Sequence, residues 1–220
     1  MKLLLTSGGV TNASIHQAML DMLGKPVAEC AALCIPTAEY GHAMCTPESA
    51  WRFVTGTGGS PMTTLGWKSI GLLELTALPS LGRERWETWV RAVDVLLVDG
   101  GDATYLAHWM RESGFMELMP SLTDTVWVGE SAGSMVMTPR IGADFVAWDR
   151  AANDEALGVV DFCICPHLAP AGERGNTMAE AEEWAAGIGH PAYALDDQSA
   201  IRVVDGQVDV VSEGRWEKLR

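Results

Sequence analysis

Ser131 stands in Gly129-Glu130-Ser131-Ala132-Gly133, between the β-rich run Thr125-Val126-Trp127-Val128 and small, unbranched residues suited to starting a helix. A strand-turn-helix with this pattern is the setting of a nucleophile elbow, in which a sharp turn lifts one hydroxyl above the end of a sheet. The flanking glycines let neighbouring backbone approach closely. The N–H groups that open the following helix face the place where an acyl oxyanion would form. The same five residues also suit an ordinary tight turn, so the reading depends on partners elsewhere. A serine hydroxyl is a weak nucleophile until a base takes its proton, and the base works best when an acid fixes its tautomer.

Of the five histidines, His167 follows the apolar run Val159 to Cys165 and Pro166, at the C-terminal end of an expected strand after the elbow. His190 precedes a proline in a helix-to-strand loop, and His16, His42 and His108 fall on helices or loops with surface or capping roles as their default. Asp196 and Asp197 end the run Tyr193 to Leu195, on the same expected edge. Adjacent strand residues face opposite ways, so one of the two would serve as the acid, and spacing leaves both open. Gly100 and Gly101 end the run Val93 to Val98, just before the elbow strand; either could turn an N–H toward an oxyanion together with Ala132. The resulting order of serine, histidine, aspartate differs from that of α/β-hydrolase esterases, whose acid precedes the histidine. Cys163, Cys165 and His167 share a face on a two-residue period, but no fourth ligand is evident and strand cysteines are usually small buried hydrophobes, so no metal is expected.

The elements that must position these groups alternate. Strands are expected at Lys2 to Leu5, Ala31 to Ile35, Leu72 to Leu75, Val93 to Val98, the elbow run, Val159 to Cys165 and Tyr193 to Leu195. A helix capped by Thr11 or Asn12 runs to Met22 and stops at Gly24; another opens at Thr46-Pro47-Glu48. A third spans Ser80 to Ala92, with Trp86, Trp89 and Val93 as its core stripe. Asp102 caps a fourth, Ala103 to Ser113, closed by Gly114. Thr177-Met178-Ala179-Glu180 is a capping box whose helix stops at Gly187 or Gly189. Thr55 to Ser60 reads as a glycine-rich surface loop, and 140–158 as a loop over the active face. Ile201 to Val204 and Val208 to Val211, joined by Asp205-Gly206, form a C-terminal β-hairpin. The expected fold is α/β, a mostly parallel sheet between two helix layers with reactive groups at the strands' carboxyl ends. The pair Gly8-Gly9 lacks the dinucleotide fingerprint and is not followed by Gly-Lys-Thr, which argues against nucleotide binding.

The 220 residues fit one domain, 1–220, without linker or low-complexity tract. Fifteen Lys and Arg against 29 Asp and Glu give a net charge of −14, a field that repels nucleic acid and anionic lipid. The apolar start is too short for a signal peptide or a membrane span, and five cysteines without Cys-x-x-Cys spacing suit a reducing compartment, so a cytoplasmic protein is expected.

Val98-Asp99-Gly100-Gly101-Asp102, the elbow, Cys165-Pro166-His167 and Leu195-Asp196-Asp197-Gln198-Ser199-Ala200 together resemble peptidase E, the aspartyl dipeptidases, with cyanophycinase as a relative. The resemblance covers most of the chain in order. It implies a flavodoxin-like fold close to that of class I glutamine amidotransferases, with serine in place of their cysteine, and hydrolysis of small peptides without metal or cofactor. By the family's motifs the catalytic residues are Ser131, His167 and Asp197, and the oxyanion donors are the N–H groups of Gly101 and Ala132, beside Gly100. Three departures are visible. Asp102 stands where the family has asparagine, the acid is aspartate rather than glutamate, and Gly175-Asn176-Thr177-Met178 replaces a segment whose arginine holds an aspartyl carboxylate. Met178 cannot pair with a carboxylate. Arg174 is the nearby cation, so the substrate contacts are assigned to Gly100, Arg174 and Met178, with neutral first residues expected to be accepted as well as aspartate. The rival reading is a catalytically silent module that binds a small metabolite. A homodimer is left open.

Overall fold

The computed structural model describes residues 1–58, 61–169 and 172–220. Seven strands form the main sheet: β1 (Lys2–Thr6), β2 (Ala31–Ile35), β3 (Ser69–Leu72), β4 (Val95–Val98), β5 (Val126–Glu130), β8 (Ser199–Val204) and β9 (Gln207–Ser212). Their order is β3-β2-β4-β5-β1-β8-β9; the first five run parallel, and the C-terminal hairpin extends the sheet antiparallel from β1.

Side chains alternate across an extended strand, and here each alternate set enters a different core. Leu3, Leu5, Leu33, Ile35, Leu96, Val98 and Trp127 face one layer of helices. Leu4, Ala32, Cys34, Val95, Leu97, Val126 and Val128 face the other. A sheet buried on both faces explains why these strands read as continuous apolar runs.

Helix α1 (Ala13–Leu23) is capped by Asn12, whose side chain accepts from the Ile15 N–H, and ends at Gly24 in the left-handed region. Thr11, the other candidate cap, donates instead to the Asp197 carbonyl at 2.6 Å. Helices α2 (Pro47–Thr55), α3 (Arg83–Arg91), α4 (Ala103–Glu112) and the short α5 (Phe115–Leu118) follow. On α3 the buried stripe is Trp86 and Val90, four residues apart; Trp89 is turned outward, 40% exposed, with the Arg85 guanidinium over its ring. Of the loop expected from Thr55 to Ser60, Gly59 and Ser60 lie outside the described residues.

The third strand differs from its expected position. It is Ser69–Leu72, an exposed edge strand, while Leu75–Ser80 forms a 3₁₀ turn containing Pro79. Glu74 caps that turn and accepts from Thr37 Oγ1, so a polar pair outweighs the apolar run. The strand expected at Val159 to Cys165 is reduced to β6 (Cys163–Cys165), because Val159 and Val160 donate their N–H groups back to the Met137 carbonyl. β6 and β7 (Ala192–Leu195) also leave the main sheet. They pair in parallel and join β10 (Trp216–Lys218) in a separate three-stranded sheet. Helix α7 (Met178–Ile188), opened by the Thr177 and Glu180 capping box and closed by Gly189, covers it through Ala181, Trp184 and Ile188.

Candidate active site

The carboxyl ends of β1, β4 and β5 converge, and the elbow is built there from close backbone approaches and hydrogen bonds. A Cβ on Gly129 would lie 2.2 Å from the Gly133 carbonyl oxygen, and one on Gly133 would lie 2.4 Å from that of Val98, so neither position tolerates a side chain. The Ser131 N–H donates to the carbonyls of Thr6 and Ser7, and Ser134 Oγ donates to those of Thr6 and Gly129. Held in this way, Ser131 adopts φ 49° and ψ −110°, a conformation that non-glycine residues rarely enter. The helix after it, α6 (Ala132–Met135), is a single turn. Its macrodipole is therefore small.

His167 arrives from the end of β6 and also has positive φ, 56°. Its Nε2 lies 2.9 Å from Ser131 Oγ, and its Nδ1 lies 2.7 Å from Asp197 Oδ1. Of the two aspartates it is Asp197 that meets the histidine. Asp196 instead accepts from the Gln198 and Arg215 N–H groups and from Ser199 Oγ, closing the turn between β7 and β8. The hydrogen bond from His167 holds the Asp197 carboxyl below the usual aspartate range.

Ser7 is a member of this group that spacing did not reveal. Its Oγ donates to Asp197 Oδ1 at 2.8 Å and accepts the His167 N–H at 2.7 Å, fixing acid and base on one hydroxyl. Gly8 lies against it, since a Cβ there would be 2.7 Å from Asp197 Cβ. The segment Thr6-Ser7-Gly8-Gly9 thus seats the carboxylate. Its one legible signal was its place at the end of the central strand.

Gly100 and Gly101 flank Ser131 from β4. The Gly100 N–H is taken by Asp99 Oδ1 at 2.8 Å, whereas the N–H groups of Gly101 and Ala132 have no hydrogen-bond partner among the described residues. Gly101 has φ 126°, and a Cβ there would strike the Ala38 carbonyl at 2.3 Å. Both residues line a cavity of about 590 Å³ together with Ser131, His167, Gly100 and Arg174. Met178 is not among the residues lining it. As the first residue of α7 it packs against the apolar cluster that includes Cys163, Cys165 and Trp184.

The cavity wall also carries Glu39, Asp99, Glu130 and Asp144. Asp99 is 6% exposed; burial first, then the charges of Glu39 and Glu130, push its carboxyl up to about 9. Burial raises the Glu39 carboxyl as well, against the pull of His42 and Arg52. Cys163 and Cys165 are buried, with the Cys165 thiol pushed up to about 12, and both ring nitrogens of His167 are engaged by Ser131 and Asp197. Among the described residues no group of three His, Cys, Asp or Glu could hold a metal ion, and no helix is long and apolar enough to cross a membrane.

The departure at Asp102 has a geometric reason. One carboxylate oxygen accepts from the Tyr105 N–H and Thr104 Oγ1, and the other accepts from the N–H groups of Ala147 and Trp148. The buried carboxylate caps α4 and pins the segment that carries Phe145 and Ala147 into the cavity wall. Asparagine would turn an NH2 toward two N–H donors. Asp102→Asn is expected to cost about 1–3 kcal/mol of stability and to raise KM more than it lowers kcat, measured by thermal melting and steady-state kinetics. An unchanged melting temperature would contradict the pinning.

A model of peptidase family S51 matches residues 3–211. An uncharacterized peptidase of Listeria innocua serovar 6a is 30% identical over 86 residues, which span 36% of this chain and 41% of that protein. Two crystal structures share the fold. A candidate peptidase E protein of Listeria monocytogenes EGD-e superposes with TM-score 0.67 at 20% identity, covering 97% of this chain and 98% of its own. A peptidase from an acI-B1 Actinobacterium gives 0.67 at 19%, covering 100% and 90%.

Proposed function

Since the chain belongs to peptidase family S51 and is a serine-type peptidase, we propose that it hydrolyses small peptides, as a dipeptidase, through an acyl-enzyme on Ser131. The observation that carries this reading is the hydrogen-bonded series Ser131–His167–Asp197, with contacts of 2.9 and 2.7 Å. Ser131 Oγ attacks the scissile carbonyl carbon while its proton passes to His167 Nε2. The resulting imidazolium donates through Nδ1 to Asp197, which stays ionised. The oxyanion is received by the N–H groups of Gly101 and Ala132, two lining residues of the cavity whose N–H groups have no partner among the described residues. The proton then goes from His167 to the leaving amine. Water, deprotonated by the same nitrogen, attacks the ester and frees Ser131. One domain, 1–220, would suffice for this cycle, in the cytoplasm and without metal, cofactor, nucleic acid or membrane.

A fluorophosphonate should label Ser131 covalently, because the same groups stabilise its tetrahedral adduct, and Ser131→Ala should abolish labelling. Peptide mapping that finds the label on another serine, or on none in folded protein, would remove the nucleophile.

The substrate's first residue is proposed to be neutral at least as readily as aspartate. Glu39, Glu130 and Asp144 oppose a second carboxylate, Met178 is not among the cavity's lining residues, and Arg174 is an exposed residue of the lining. We expect kcat/KM for Leu-Leu and Ala-Leu to equal or exceed that for Asp-Leu, with Arg174→Ala leaving the ranking intact. A strong Asp-Leu preference that vanishes in Arg174→Ala would instead give that arginine the role of carboxylate holder.

A further inference from the structure

The acidic wall contains carboxyl groups that the hydrolytic cycle does not use. Asp99 Oδ1 accepts from Gly100, but Oδ2 is buried with no hydrogen-bond partner among the described residues, in a residue that borders the cavity. A buried polar group left unsatisfied costs about 1–3 kcal/mol, and it is retained here beside the nucleophile: a Cβ on Gly100, the next residue, would lie 3.6 Å from Ser131 Cβ. Glu39 and Glu130 line the same wall, one near the backbone of Gly101 and the other directly before Ser131. Such a wall repels anions and suits a cation that brings its own hydrogen atoms.

We propose that Asp99, with Glu39 and Glu130 around it, is a cation subsite that receives a protonated amine of the substrate's first residue. The inference rests on the reading of Ser131 as nucleophile, which places the first residue against this wall. Two amines share the required chemistry, the α-ammonium of a free N-terminus and the side-chain ammonium of lysine. Either would supply the donor that Oδ2 lacks and a charge to hold the carboxylate ionised. Since burial and the two neighbouring glutamates keep Asp99 protonated in the empty cavity, its proton leaves to solvent as the cation enters. Other charges bear on the same group. Arg52 and His42 act on Glu39, and the thiols of Cys34 and Cys45 feel the Asp99 charge.

The test is calorimetric binding to Ser131→Ala protein, in which turnover cannot intervene. Ala-Leu against N-acetyl-Ala-Leu isolates the α-amine, and N-acetyl-Lys-Leu against N-acetyl-norleucyl-Leu isolates the side-chain amine. In at least one pair the free amine should bind about 10–100-fold more tightly, and titration in buffers of different ionisation enthalpy should show proton release. Adding Asp99→Asn, which keeps the shape of the side chain, should remove both the preference and the proton release while leaving the acetylated ligands unchanged. An absent preference in both pairs, or one that survives Asp99→Asn, overturns the subsite. Failure of the nucleophile reading shows separately, as absent fluorophosphonate labelling of the parent protein.

Discussion

His167→Ala should be as inactive as Ser131→Ala, each losing on the order of 10⁶ in kcat, and the double variant should be no worse than either alone. The reason is that neither group works without the other. Among the described residues Ser131 Oγ has no acceptor for its proton within hydrogen-bond distance except His167 Nε2, and without that transfer the hydroxyl stays a poor nucleophile. What remains in all three proteins is the contribution of binding and of the Gly101 and Ala132 N–H groups. Those groups are backbone and survive both substitutions. Single-turnover kinetics on a dipeptide with an activated leaving group provides the measurement. Losses that multiply in the double variant would mean that serine and histidine act independently, and the proposed cycle would fall.

Asp197→Asn should lower kcat by about 10⁴, whereas Asp196→Asn should leave kcat nearly unchanged and lower the melting temperature. The carboxylate of Asp197 fixes the proton on Nδ1 of His167 and leaves Nε2 free to accept; an asparagine amide can donate to Nδ1 and select the wrong tautomer. Asp196 holds the Gln198 and Arg215 N–H groups and Ser199 Oγ, so its loss unties a turn. The pH profile gives a second check. A folded carboxyl lowered by its partner contributes fully above the ordinary aspartate range, near pH 4, and its contribution is lost only as the pH falls through the lower folded value. The side chain of Asp197 is 54% exposed, so solvent screens the pair and the associated stability is small. A crippled Asp196→Asn with a mild Asp197→Asn would reverse the assignment.

The parts of this fold that were legible in the sequence are those whose residues answer to one local cause. β1, β2, β4 and β5 are buried on both faces and read as unbroken apolar runs. α4 and α7 begin where a side chain can cap and end where a glycine can turn left-handed. The edge strand β3 was misplaced because its residues are mostly exposed and carry little pattern. That β6 and β7 form their own sheet was not legible at all, since strand order along a chain does not say which strands share a sheet. The site divides in the same way. Ser131, His167 and the aspartate pair stood at strand ends and could be found by position. Choosing Asp197 needed the family's motif or the fold, because the competing demands on Asp196 come from Arg215 and Ser199. Ser7 takes its place from groups far away in sequence, and Met178 packs against the cluster beneath α7 and is not among the residues lining the cavity.

The position of β1 bears on when the enzyme can first act. It lies between β5 and β8, with Leu4 opposite Val128 on one side and Arg202 on the other. Ribosomes add about 5–20 residues per second, so β1 waits roughly 10–40 s for the last of these partners. Until then it is an apolar strand with an open edge, the kind of segment that chaperones shield and that makes folding slow. Ser7 and Asp197 come from opposite ends of that pairing and meet only when β8 docks. On the proposed cycle a nascent chain therefore carries its serine long before it carries a working base and acid, and hydrolysis would begin only once translation has passed the turn that holds Asp197.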